Sequence, residues 1–148
     1  MGYSIYIVDR ETKKRIDLDN YPKFNGMRIN DYGSTYCPNG RTDLANDITY
    51  NYYPIFKKLF GTDSIRAIYG KPLAESKVII RNALSVLTNG PLEHPDEWNY
   101  DNWLESINDY WECTVENVKK ALKQLLYLID CSRSIDEGYA EKFEFNGD

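Results

Sequence analysis

YSIYIVD, residues 3–9, is the stretch on which the fold turns. Its residues are β-branched or aromatic and alternate, with Tyr3, Ile5 and Ile7 on one face and Ser4, Tyr6 and Val8 on the other. A strand with apolar residues on both faces belongs in the middle of a sheet. Near the far end of the chain, KFEFN (142–146) sets Phe143 and Phe145 against polar neighbours and reads as its partner or edge strand. Strands at both ends with helices between them predict an α+β fold. We expect a single domain with a small antiparallel sheet, the N- and C-terminal strands paired, covered by three to four helices. A chain of 148 residues suits one such domain, which buries about two thirds of its unfolded surface.

Working inward, ETKK (11–14) is a polar turn and RIDL (15–18) can return as a hairpin partner. Residues 19–46 are irregular and Tyr-rich, with Asn-Gly twice, Pro22, Gly33 and Pro38, and with one short strand expected near Met27–Ile29. A long irregular segment in a compact domain usually has a functional use. Ile55, Phe56, Leu59 and Phe60 fit a short helix opened by Pro54 and stopped by Gly61. A second helix starts at Pro72 and runs to a cap at Gly90, with apolar positions 73, 79/80, 83/84 and 87 as its buried stripe. HPDEW (94–98) is a turn. From Trp103 to Ile129 the apolar residues keep helical phase, but Thr114 is a good N-cap, so a break near 112–114 is expected.

Several chemistries are disfavoured by what the chain carries. Eighteen Lys and Arg face 23 Asp and Glu, a net charge of −5, and no basic cluster exceeds Lys13-Lys14-Arg15, which argues against nucleic acid as a partner. The three cysteines, Cys37, Cys113 and Cys131, are widely spaced without a CxxC, so we expect free thiols rather than disulfides or zinc. His94 is the single histidine and sits in a polar turn. Phosphate-cradling glycine motifs are absent, and the acidic pairs Asp17/Asp19 and Asp96/Glu97 read as solvated surface rather than a metal site. We therefore expect no catalytic residues, no metal and no cofactor. MGYSIYIVDR has charge by residue 9 and no apolar leader core, and no run approaches a membrane span, which predicts a cytoplasmic protein with no membrane partner.

DITYNYYPIF (47–56) and NDYWECTVEN (108–117) share a construction: aromatics with Asn and Thr leading into a helix. Read as extended, DITYN puts Thr49 and Asn51 on one face and Ile48 and Tyr50 on the other. One reading has Asn51 capping the helix and the tyrosines filling the core. The other uses the positive end of the helix as an anion site, with Tyr rings stacking on a planar base. If the two helix starts face one hollow, Tyr50 and Trp111 would stack on a ligand. Thr49, Asn51, Asn108 and Thr114 would then hydrogen-bond it, and Arg66 or Arg81 would meet a phosphate.

Ile48-Thr49-Tyr50-Asn51, followed by Pro and an apolar helix, resembles the (I/V)-T-(Y/H)-N element of small, functionally unassigned proteins of bacteriophages and prophages. In that family a later N-G-W-G-(S/T)-x-(E/D)-(N/G) segment leads into the last helix. Here Asn108, Trp111, Thr114, Glu116 and Asn117 approximate it, with Asp109-Tyr110 and Glu112-Cys113 in place of the glycines. The resemblance covers roughly residues 46–131. It implies a phage setting in the host cytoplasm and carries no activity. The expected function is a non-enzymatic protein that sequesters a nucleotide-derived host immune signal, working as a monomer or a homodimer. The alternative is an acidic inhibitor that blocks a host enzyme through a Tyr-rich surface. An enclosed polar pocket favours the first and an exposed aromatic patch the second.

Overall fold

The computed structural model describes residues 2–24, 35–36, 46–109 and 113–147. Strands β1 (Gly2–Asp9), β2 (Thr35–Tyr36), β3 (Asn46–Thr49) and β4 (Phe143–Gly147) form one antiparallel sheet in the order β2-β3-β1-β4. The strand at 3–9 is central, as its composition predicts, and it pairs with the C-terminal strand: Ile7 lies opposite Phe145 and Asp9 opposite Phe143. Its first half pairs with β3, Tyr3 opposite Ile48. Tyr3, Ile5, Ile7, Ile48, Phe143 and Phe145 are all buried on one face. The other face is more polar than expected. Arg15 lies over the Tyr6 ring at 3.7 Å, and Val8 sits opposite a buried carboxylate, Glu144.

The hairpin return after β1 is shorter than RIDL suggested. The Ile16 N–H donates to the Ile7 carbonyl and Arg15 bridges Val8, but no strand continues to Leu18, which opens a 3-10 turn instead. The reason is occupancy. With β4 on one side of β1, residues 14–16 must use the same edge as β3, which already occupies Gly2–Ile5. The free side of β4 is covered in turn by residues 69–72, where the Gly70 N–H donates to the Phe145 carbonyl. Pro72 there suits a covered edge, since it offers no donor. The strand expected near Met27–Ile29, with most of the irregular segment, lies outside the described residues.

Among the described residues five α-helices accompany the sheet: α1 (Tyr53–Phe60), α2 (Leu73–Asn89), α3 (Tyr100–Ile107), α4 (Val115–Cys131) and the single turn α5 (Tyr139–Lys142). The stops are local and chemical. Gly61 and Gly90 end α1 and α2 with φ of 78° and 84°, a region open to glycine and strained for other residues. Pro72 is the N-cap of α2 rather than its first residue. A break separates α3 from α4 as expected, though α3 stops at Ile107, earlier than the phase of its apolar residues implied. Thr114 caps α4 by accepting from the Asn117 N–H at 3.2 Å. The buried stripes of α1, α2 and α4 join the sheet's inner face in one core. Among the described residues no helix is long and apolar enough to cross a membrane.

Candidate functional site

The segment that enters α1 does not run extended through Asn51. Strand β3 ends at Thr49, and Tyr50–Tyr52 form a 3-10 turn, so the predicted two-faced alternation stops short. The N-cap of α1 is Tyr52, with no side-chain cap bond, so Asn51 is not the cap. Pro54 supplies the early-helix position where its missing N–H costs nothing. Tyr52 is fully buried against Phe56, Tyr50 is half-buried, and Asn51 and Tyr53 are exposed.

Tyr3 organises what surrounds this turn. Its ring meets Tyr50 edge-on at 4.6 Å between centroids, and the Arg66 guanidinium lies 5.1 Å from the same ring. Its hydroxyl lies 3.2 Å from Ser64 Oγ. Ser64 holds φ 56°, ψ −145°, a sparsely populated conformation for any residue but glycine, inside the tight turns between α1 and α2. Two of the residues singled out by sequence, Tyr50 and Arg66, thus meet on one ring, with Thr49 and Asn51 on either side of Tyr50 in the chain. Tyr3 and Ser64 were not singled out. Tyr3 read as strand core, and nothing in GTDSIRAI announces a positive φ at Ser64.

The second predicted cluster is engaged with its own helix. Asn108 Oδ1 accepts from the Val115 N–H at 2.9 Å, and the Thr114 hydroxyl caps the same helix start. Two orphan N–H groups of α4 are satisfied this way. Trp111 lies outside the described residues. Arg81 is exposed on α2, away from the stripe of Leu73, Ser76, Ile80, Ala83 and Leu87 that enters the core.

The two helix starts are nevertheless neighbours. The thiol of Cys113, one residue before the Thr114 cap, receives the backbone N–H of Ile55 in the first turn of α1. Cys113, Ile55 and Val115 are all buried. Burial pushes the Cys113 thiol up from its ordinary value. The Ile55 N–H and Lys58 pull it down, Asp109 pushes it further up, and burial wins. Cys131 is likewise pushed up by burial, with a counter-pull from the Tyr127 hydroxyl. Both thiols stay protonated at neutral pH, which makes them poor nucleophiles and poor metal ligands.

Among the described residues no group of three or more His, Cys, Asp or Glu side chains gathers in a way that could hold a metal ion. His94 is exposed and stacks on Trp98 at 4.5 Å. No family model, curated protein or solved structure matches this chain.

Proposed function

We propose that this protein acts by capture rather than catalysis, and that it binds a small planar anion of the nucleotide-derived class at the corner formed by Tyr50, Asn51 and Arg66. In the phage setting that the sequence resemblance implies, such capture would sequester a host immune signal. The observation that carries the reading is the arrangement on Tyr3: Arg66 is held over its face and Tyr50 against its edge. A guanidinium seated on an aromatic ring is partly pre-oriented, so less side-chain freedom is lost when it meets a phosphate. Asn51, exposed next to Tyr50, carries an amide of the kind that recognises a base edge. The protonated, buried thiols support a non-catalytic role, because neither is an activated nucleophile.

The test is calorimetry and thermal shift of the intact chain against mononucleotides, cyclic dinucleotides and ADP-ribose derivatives. A ligand at a hundred times its Kd should add about 2.7 kcal/mol of stability. Arg66→Ala should weaken binding about tenfold to a hundredfold, the worth of a charge-assisted hydrogen bond. A ligand bound equally well by Arg66→Ala and Asn51→Ala would remove the site. Silence across the whole panel would transfer support to the inhibitor reading, for which Tyr53, 40% exposed beside the same turn, is an available contact.

A further inference from the structure

We propose that the outer face of α2 is a docking groove for an extended peptide segment of a partner protein, gripped through its backbone by Asn82 and Asn89 and anchored by an apolar side chain between α1 and α2. The site is separate from the Tyr50–Arg66 corner and does not depend on it.

Helix α2 buries one stripe in the core and presents another beside it: Ile79, Asn82, Val86 and Asn89, at i, i+3, i+7 and i+10. Ile79 and Val86 are half-buried while the two asparagines are exposed. Two hollows run along this stripe, of about 270 Å³ and about 460 Å³, and they share Asn82 and Val86, so they form one trough. The smaller is apolar, walled by Leu59 and Phe60 of α1 and by Ile79 and Ala83, with Lys58 at its rim. The larger is mixed, lined by Ser85, Asn89 and His94 together with the apolar Val86, Pro91 and Leu92.

Chemistry selects the occupant. Apart from Lys58 and His94, the trough residues are uncharged, so its longer, mixed part suits neutral groups that combine hydrogen bonding with apolar contact rather than a phosphate or a metal. An asparagine side chain is itself an amide and matches the donor and acceptor of a peptide bond. Seven helical residues span about 10.5 Å. A polyproline-II peptide returns the same face every three residues, about 9.3 Å, within the reach of two flexible side chains. A β-strand returns the same edge at about 6.7 or 13.4 Å and fits worse. The polyproline-II form also leaves its backbone groups unpaired and loses little freedom on binding.

The smaller hollow falls below the roughly 300–1,000 Å³ typical of a whole small-molecule site, and so suits one side chain. The Lys58 ammonium at its rim pairs best with an acidic residue next to that anchor. The far wall is fixed beforehand. Gly90 packs so closely under Trp98 that an added Cβ would stand 2.2 Å from its ring, and His94 stacks on the same indole. Leu92, 94% exposed, stands on that wall and would be covered by the occupant.

The test is selection from a random library of short peptides displayed against the intact protein, followed by fluorescence anisotropy with the enriched sequences. The expected consensus is an apolar anchor beside an acidic residue, in a proline-compatible context. The double variant Asn82→Ala/Asn89→Ala changes only exposed side chains, and circular dichroism would verify its fold. It should weaken binding roughly thirtyfold, the loss of two neutral hydrogen bonds. Lys58→Glu should weaken acidic peptides and be rescued by a peptide with Lys in place of the acid. No enrichment, or enriched peptides bound equally by the folded double variant, would overturn the proposal.

Discussion

Tyr3 in the first strand and Ser64, 61 residues later, meet through their hydroxyls at 3.2 Å in the buried interior, and Ser64 makes the contact from φ 56°, ψ −145°. A strained backbone position and a buried hydrogen bond therefore depend on one residue. Ser64→Ala keeps the strain and leaves the Tyr3 hydroxyl without this partner, so it should cost about 1–3 kcal/mol. Ser64→Gly loses the same bond but relaxes a conformation that costs of order 1–3 kcal/mol for a residue with a Cβ. Urea unfolding should rank the glycine variant above the alanine variant. The opposite order would mean that the turn is unstrained.

Gly90 and Gly61 form a matched pair of helix stops. Both have positive φ, but an added Cβ at Gly90 meets the Trp98 ring at 2.2 Å, whereas at Gly61 nothing lies within 4 Å. Gly61→Ala should cost only the conformational strain, about 1–3 kcal/mol. Gly90→Ala should add overpacking of a further 1–3 kcal/mol or so. Thermal melts of the two variants measure that difference directly. Trp98→Ala should remove most of the extra cost at Gly90 and leave Gly61→Ala unchanged.

Glu144 is 1% exposed, and Lys13 Nζ lies 2.9 Å from its carboxylate, with Arg10 Nε at 3.7 Å and the Asn146 amide donating at 3.2 Å. The pair ties the 10–14 turn to β4. Because the Lys13 side chain is 65% exposed, its loss should be modest, about 1 kcal/mol. In Glu144→Gln, where no charge remains to neutralise, Lys13→Ala should cost almost nothing. A double-mutant cycle in urea reads this coupling. Strict additivity would show that Arg10 and Asn146 suffice.

The Cys113 thiol gives a pH signature. Burial raises it, so the folded protein holds that proton to higher pH than the unfolded chain does. Its contribution to stability is complete below the unfolded-chain value and is lost as pH rises through the folded one. The urea midpoint should therefore fall in the alkaline range, and fall less steeply in Cys113→Ala, even though that variant starts lower for want of packing. Equal slopes would place the alkaline loss elsewhere, with Cys131 the next residue to substitute.

The ends of the fold were readable because the signals there are local. Alternation in 3–9 and 143–145 names two strands, and their pairing follows from a need to bury both apolar faces. Gly61, Gly90 and Thr114 stop or start helices by their own conformational chemistry. The end of α3 was not readable. Apolar phase carries past Ile107, and what ends the helix is Asn108, whose side chain serves Val115 seven residues on, a relation outside the usual capping spacing. The corner at Tyr50 was half legible. The turn and its asparagine stand in the sequence, but Arg66 joins them only through the ring of a strand residue that reads as core. Cys113, which reads as an incidental thiol, is where the two helix starts touch, and no local pattern could reveal that.

The pairing of β1 with β4 has a consequence for synthesis. Nearly the whole chain separates Ile7 from Phe145, so during translation the first strand leaves the ribosome long before its neighbour exists. Until then Tyr3, Ile5 and Ile7 stand without the two phenylalanines that complete their layer, and one edge offers its backbone to any passing strand. Closure of so distant a contact makes folding a late and comparatively slow event. The nascent polypeptide should accordingly depend on chaperone cover until residues 143–147 emerge from the tunnel.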